Sequence, residues 1–168
     1  MAKVLILLTK SATLTLLDGR QHASGFWAEE FVVPYERLIG EGYEVERRVV
    51  PDEREAIAEA IAELAEDAAV VLTTGGTGLG PRDVTPEATG EVLERLAPGI
   101  AEALRADSLT KTPHALLSRG LADVRCRALV VNLPGSPGGC RDGFDVLRPA
   151  LKHAVELLAG EPTAHRQS

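Results

Sequence analysis

The segment that decides the fold is Ala68-Ala69-Val70-Val71-Leu72-Thr73, which leads directly into Thr74-Gly75-Gly76-Thr77-Gly78. Its first part is a continuous apolar run without polar alternation, which is typical of a strand buried on both faces in a parallel sheet. Its second part is a glycine cluster at the end of that strand. In open α/β sheets, ligands bind beyond the carboxyl ends of the strands. The segment therefore predicts both a parallel sheet and a site at its edge.

Apolar patterns on either side of this segment extend the fold. They predict further strands over residues 4–8, 43–50, 114–117 and 128–133, of which 43–50 alternates like a strand nearer the sheet edge. Helical spacing predicts helices over residues 26–38, 52–66, 85–96 and 99–109, and a last helix with Phe144, Leu147, Leu151, Ala154, Val155 and Leu158 on one face. Because strands and helices alternate, the predicted fold is α/β, a three-layer sandwich with a mostly parallel sheet flanked by helices.

Local signals indicate where these helices begin or bend. Asp52 and Glu55 form a capping-box pattern, and Thr85 before a proline is typical of an N-cap. Pro34 is expected to kink or divide the first helix. Three apolar residues of the helix over 99–109 are expected to face inward: Ile100, Ala103 and Leu104.

The composition predicts one soluble domain over residues 1–160 with a flexible tail over 161–168. A chain of 168 residues can bury a sizeable core. Its formal net charge of −7 argues against nucleic acid or an anionic membrane as partner. Cys126 and Cys140 lack metal-ligand spacing, and the N-terminus carries no signal-peptide pattern, so we expect a cytoplasmic protein.

The glycine loop suits anion binding, because glycine lets the backbone approach a ligand closely and direct several N–H groups at it. A flexible turn is the alternative. The loop lacks the lysine of a P-loop and the spacing of a dinucleotide fingerprint, so neither of those sites is expected. Thr74, Gly75, Gly76, Thr77 and Gly78 are the candidate phosphate-binding residues.

A second loop and two acids accompany it. Asn132-Leu133-Pro134-Gly135-Ser136-Pro137-Gly138-Gly139 also follows an apolar strand and could form a common pocket with the first loop. Asp52 and Asp83 stand at helix starts on the same edge and could together hold Mg²⁺, which takes one or two carboxylates plus substrate phosphates. An N-cap role would equally explain Asp52. Three arginines are either phosphate ligands or solvated surface charges: Arg82, Arg119 and Arg141.

From about residue 46 to residue 168, the order and spacing of several motifs resemble the MogA/MoaB family of molybdenum-cofactor biosynthesis. The motifs are 51–53, 73–78, 81–89, Leu117-Ser118-Arg119-Gly120 and 132–137. The resemblance implies a Mg²⁺-dependent nucleotidyltransferase, a molybdopterin adenylyltransferase that moves AMP from ATP to molybdopterin, in a homo-oligomer such as a trimer. It implies Asp52 and Asp83 as the catalytic and metal-binding acids. The binding residues that it implies are Thr74, Gly75, Gly76, Thr77, Gly78, Ser118, Asn132, Pro134, Gly135 and Ser136.

Residues 1–45 instead resemble the start of the PfpI/ThiJ family, on the residues around Asp18, Ser24 and Glu30. One hypothesis is therefore a chimera, natural or engineered, joined within residues 42–49. The alternative function is then an α/β scaffold with weak or no activity. A PfpI-like hydrolase or chaperone is disfavoured, because no cysteine on a nucleophile elbow accompanies Glu30.

Overall fold

The computed structural model describes residues 2–10, 13–15, 21–23 and 28–160, and the predicted tail over 161–168 lies outside them. In chain order the elements are β1 (Lys3–Lys10), β2 (Thr13–Thr15), β3 (Gln21–Ala23), α1 (Ala28–Gly40), β4 (Glu44–Pro51), α2 (Arg54–Asp67), β5 (Val70–Thr74), α3 (Thr85–Val92), β6 (Arg95–Leu96), α4 (Pro98–Leu109), a 3₁₀ helix (Pro113–Leu117), β7 (Ala122–Arg125), β8 (Ala128–Leu133) and α5 (Pro137–Ala159).

Within the described ranges, the main sheet has the strand order β4-β1-β5-β8-β7-β6. Strands β4, β1, β5 and β8 run parallel, whereas β7 and β6 are antiparallel to their neighbours. The predicted α/β fold with a mostly parallel sheet is thus confirmed, and β4 is the edge strand that its alternation predicts. Strands β2 and β3 pair with each other outside this sheet.

Alternate residues of β1 separate the two faces of the sheet. Val4, Ile6 and Leu8 belong to a buried cluster that includes side chains of α1, α4 and α5, which we call the α4–α5 face. Leu5 and Leu7 belong to a second cluster with side chains of α2 and α3, the α2–α3 face. Helices therefore cover both faces, which confirms the three-layer sandwich. Among the described helices, none has the length and apolar character needed to cross a membrane.

Two predicted helix caps are wrong. Helix α2 begins at Arg54, with Glu53 as N-cap and no capping side-chain hydrogen bond from it, so Asp52 is not the N-cap that the capping-box pattern predicts. The reason is that β4 continues to Pro51 and keeps the chain extended for longer than the pattern indicates. At α3 the N-cap is Val84, and Thr85 is the first helical residue.

The region from 93 to 125 differs most from the prediction. Helix α3 ends at Val92, and the last residues of the predicted helix over 85–96 form the edge strand β6 instead. The predicted strand over 114–117 is a 3₁₀ helix. In α4, Leu104 is buried as expected, but Ala101 rather than Ala103 is the second buried residue.

Fewer predictions for the N-terminal unit can be compared with the structure, because parts of it lie outside the described residues. Pro34 lies inside α1 without dividing it, and the helix ends at Gly40, two residues before Gly42, whose φ of 85° favours glycine. The residues around Asp18 and Ser24, and the side chain of Glu30, lie outside what the structure describes. Cys140 is buried inside α5.

Candidate functional site

A cavity of about 240 Å³ opens at the carboxyl ends of β5 and β8, on the α4–α5 face. Both predicted loops contribute to it, together with α4, the 3₁₀ helix and the start of α5. The predicted site residues in its lining are Thr77, Gly78, Ser118, Asn132, Pro134 and Ser136. Six of the predicted site residues thus lie together in one wall of the cavity.

The glycine loop leaves β5 through two residues that need glycine. Gly75 and Gly76 have φ angles of 90° and 65°, a region that other residues rarely adopt. The N–H of Gly75 donates to the carbonyl of Leu133 at 3.3 Å, and the N–H of Thr85 donates to that of Gly76 at 3.1 Å. Hydrogen bonds therefore hold the start of the loop to β8 on one side and to the start of α3 on the other.

The two loops touch each other, as expected for a common pocket. A Cβ atom added at Gly135 would lie 2.8 Å from the Cα of Gly75, which is too close for any side chain. Thr74 is buried behind this contact, and its carbonyl accepts a hydrogen bond from Thr9 Oγ1 at 3.2 Å. Thr74, Gly75, Gly76 and Gly135 are not among the residues that line the cavity.

The side-chain carboxamide of Asn132 is hydrogen-bonded to three other groups of the protein. Nδ2 donates to Thr73 Oγ1 at 2.9 Å and to Thr89 Oγ1 at 3.0 Å, and Oδ1 accepts from the N–H of Leu121 at 3.0 Å. The residue is 3% exposed, so these bonds satisfy a polar group that would otherwise be costly to bury. Asn132 therefore joins β5, α3 and β8 at the base of the site.

The second loop runs into the start of α5, and this part of the chain forms another side of the cavity. Ser136 is the N-cap, and its hydroxyl accepts from the N–H of Gly139 at 3.2 Å. Both residues line the cavity. The positive end of a helix of 23 residues therefore faces the cavity, which favours an anionic group there.

Asp83 is held inside the glycine loop but does not line the cavity. Its Oδ2 accepts a hydrogen bond from the N–H of Gly80 at 2.7 Å. A Cβ at Gly78 or Gly80 would come within 2.9 Å or 2.8 Å of the same oxygen, so the loop closes tightly around this carboxylate. Asp52 is half-buried just beyond the end of β4 and is also absent from the lining.

The three candidate arginines have different environments. Arg119 donates to carbonyl groups of the glycine loop and pairs with Glu87, so it is neither a solvated charge nor positioned as a direct phosphate ligand. Arg141 is exposed, with Nε 3.4 Å from Asp142. Arg82 is exposed in the loop before α3.

Sequence reasoning missed the outer wall of the cavity. That wall consists of α4 and the 3₁₀ helix and includes Arg105, Ser108, Thr112, His114 and Leu117. Arg105 also donates to the carbonyl of Gly120 at 2.9 Å. Arg105 and Ser108 are three residues apart and so share one helix face, which is the signal that could have indicated a polar role for α4. Among the described lining residues there is no Asp or Glu.

Residues 28–153 match the family described as "Probable molybdopterin binding domain". The chain is 42% identical to the molybdopterin biosynthesis enzyme MoaB from Thermus thermophilus, with a TM-score of 0.80 over 96% of this chain and 99% of that one. It is 40% identical over 114 residues to the molybdopterin adenylyltransferase of Helicobacter pylori, which is 67% of this chain and 65% of that protein. The molybdenum cofactor synthesis protein cinnamon of Drosophila melanogaster is 38% identical over 137 residues, 79% of this chain but 23% of that protein. The chain thus spans less than two thirds of these curated relatives.

These matches give no support to the chimera hypothesis. The family match begins at residue 28 and runs through the suggested seam at 42–49. Strand β1, from the supposedly foreign unit, pairs with β4 and β5 on either side, with Leu8 opposite both Val49 and Thr74. The resemblance of residues 1–45 to the PfpI/ThiJ family is likewise unsupported.

Proposed function

The chain belongs to the family of probable molybdopterin binding domains, and from this premise we propose that it adenylylates molybdopterin in molybdenum-cofactor biosynthesis. In this reaction an oxygen of the molybdopterin phosphate attacks the α-phosphorus of ATP, and the bond to pyrophosphate breaks. The observation that carries the proposal is the cavity whose wall is made jointly by the glycine loop and the Pro134-Gly135-Ser136 loop. The names of the bacterial relatives support it.

The two sides of the cavity have different tasks in this proposal. Thr77, Gly78 and the start of α5 hold the phosphate groups, because backbone donors and a helix N-terminus favour negative charge. Ser118 and Pro134 contact the pterin end of molybdopterin. Asn132 joins the strands at the base of this wall, and Thr74, Gly75, Gly76 and Gly135 set the course of its two loops. Such chemistry depends mainly on positioning and on neutralising charge, so no protein nucleophile is required.

No carboxylate belongs to the part of the cavity lining that the structure describes, so we infer that Mg²⁺ would be held beside the lining and only together with substrate phosphates. Among the described residues there is no group of three or more His, Cys, Asp or Glu side chains that could hold a metal. Asp83 accepts one backbone N–H at Oδ2 and is half-buried, which is compatible with the carboxylate-plus-phosphate coordination that Mg²⁺ prefers. We assign Asp83 and Asp52 as its protein ligands. When bound, Mg²⁺ neutralises phosphate charge.

The test is pyrophosphate release from ATP and molybdopterin in the presence of Mg²⁺. We expect Asp83→Asn to lower kcat by at least about a hundredfold, since a carboxylate that neutralises developing charge is lost. Asp145→Asn is the matched control, because Asp145 lies on α5 and pairs with Arg37 away from the cavity. It should retain normal turnover.

The alternative is an α/β scaffold with little or no activity. Absence of pyrophosphate release from the wild-type protein, with the protein folded and Mg²⁺ present, would favour the scaffold. Equal turnover in wild type and Asp83→Asn would instead refute the role of Asp83 while leaving the activity intact.

We also propose that residues 1–160 form one unit that assembles as a homo-oligomer in the cytoplasm, with a trimer as the first expectation. Support comes from the resemblance described above and from large apolar side chains that are exposed close to the cavity. Leu79, Leu116 and Leu117 are 64%, 72% and 50% exposed. Light scattering of the purified protein would give the number of copies.

A further inference from the structure

Arg119 lies directly behind the glycine loop. Its neighbours Ser118 and Gly120 line the cavity, whereas Arg119 does not. Its backbone N–H donates to the carbonyl of Thr77 at 2.9 Å. Its side chain therefore belongs to the α3 side of the loop, opposite the space that a ligand would fill.

The guanidinium group bridges three segments. Nε donates to the carbonyl of Gly78 at 2.7 Å, and NH2 donates to the carbonyl of Asp83 at 2.5 Å. The other terminal nitrogen, NH1, donates to the carboxylate of Glu87 in the first turn of α3. A planar guanidinium can form these bonds at once, whereas an ammonium group cannot match their geometry.

Glu87 holds the arginine in this orientation. Burial favours the neutral carboxyl, but the hydrogen bond and charge of Arg119 outweigh burial, so the pKa of Glu87 lies below its usual value. Glu87 is thus ionised at neutral pH, and its charge compensates the guanidinium. The pair remains partly exposed, with 33% of the Arg119 side chain and 39% of the Glu87 side chain accessible.

We propose that Arg119, oriented by Glu87, is a positioning residue that holds the glycine loop and the Asp83 carboxylate ready for substrate. Arg119 fixes the backbone of Gly78 and of Asp83, the two ends of the turn that closes around the Asp83 carboxylate. When a loop is already ordered before the ligand binds, less of the binding free energy is lost in ordering it. This inference rests on the proposed function for its kinetic consequence, but the ordering of the loop is measurable without it.

The structural test is hydrogen exchange of three loop amides whose bonds depend on this turn, those of Gly80, Asp83 and Thr85. In Arg119→Lys we expect them to exchange at least about tenfold faster than in the wild type, because charge-assisted hydrogen bonds are lost. Arg125→Lys is the matched control. Arg125 also donates to a carbonyl, that of Val92 at 2.7 Å, but it lies next to the β7–β8 turn at the opposite edge of the sheet.

The kinetic test separates positioning from mere stability. A structural role would lower the fraction of active protein and leave KM unchanged, whereas loss of positioning should raise KM for ATP and lower kcat, reducing kcat/KM by about tenfold or more. Arg125→Lys should show wild-type values for both. If the wild type releases no pyrophosphate, the proposed function fails, and the exchange rates still decide whether Arg119 orders the loop.

Two results would overturn the inference. One is loop exchange in Arg119→Lys equal to that in Arg125→Lys, and the other is an unchanged KM for ATP in an active enzyme. Should Arg119→Lys fail to fold, Glu87→Gln replaces it, because that variant keeps the carbonyl bonds and loses only the charged partner. It should accelerate exchange of the same amides by about threefold, and unchanged exchange would again overturn the inference.

Discussion

The two faces of the sheet are built for different purposes. On the α2–α3 face, helix α2 lies flat on the strands, and Ile57 and Ile61 are fully buried. On the α4–α5 face, side chains of α1, α4 and α5 pack against the same sheet, but a cavity of about 240 Å³ remains beyond the carboxyl ends of β5 and β8. One face thus contributes mainly to stability, while the other gives up some packing and gains space for a ligand.

The largest effect that would test this contrast is a core deletion on the packed face. Ile61→Ala should lower the free energy of unfolding by about 3 kcal/mol, because it leaves a cavity that the surrounding core cannot fill. KM for molybdopterin should not change. Leu104→Ala on the other face, where Leu104 borders the cavity, should cost only about 2 kcal/mol and should alter KM. Urea unfolding and steady-state kinetics measure both quantities.

The contrast would be lost if both variants changed KM to the same degree. In that case the two faces would be coupled through the sheet, and the cavity would depend on packing throughout the molecule.

A smaller effect concerns the hydrogen bonds that Asn132 forms at the base of the site. Asn132→Ala should lower the free energy of unfolding by about 2 kcal/mol, because the hydroxyls of Thr73 and Thr89 and the N–H of Leu121 lose their partner. Ser118→Ala, at the cavity surface, should change stability by less than about 0.5 kcal/mol. An Asn132 variant as stable as the wild type would indicate that the three groups find other partners.

The smallest effect is a pH dependence on the packed face. Asp123 is 2% exposed and lies opposite Val130, and it accepts a hydrogen bond from the N–H of Ala97 at 2.8 Å. Burial raises the pKa of this carboxyl, against the opposing effect of the Ala97 hydrogen bond. The folded state therefore prefers the neutral acid, and this contribution to stability is lost as pH rises through the folded-state pKa.

Asp123→Asn should remove that dependence, because the amide oxygen can still accept from Ala97 and carries no charge. The variant should be more stable than the wild type at neutral pH, and the difference should disappear below the pKa of an unfolded Asp, about 3.9. Thermal unfolding across this pH range measures the difference. A constant difference at all pH values would assign the effect to packing rather than to ionisation.

The parts of the fold that follow from sequence are those with long, regular patterns. The apolar runs of β1, β5 and β8 and the apolar face of α5 leave few alternatives, because each requires burial on a defined side. The two loops were also identifiable, since glycine-rich segments at strand ends coincide with the ligand position of α/β sheets.

The remaining features depend on contacts that sequence spacing does not contain. Strand β6 has two residues, and it exists because β7 offers it a partner. The 3₁₀ helix begins at Pro113 under the hydroxyl of Thr112, which accepts from the N–H of His114, rather than from any periodicity. Arg119 shows the same limit, because its acceptors lie 32 to 41 residues away along the chain.

The contact between Gly75 and Gly135 has an evolutionary consequence. Because a single added carbon atom at Gly135 would reach 2.8 Å from the Cα of Gly75, the second loop can accept no side chain at Gly135 while the glycine loop keeps its course. Mutational tolerance at Gly135 should therefore depend strongly on the conformation at Gly75. A substitution at Gly135 becomes acceptable only after a shift of the glycine loop, so the sequence tolerated at Gly135 depends on a segment 60 residues earlier in the chain.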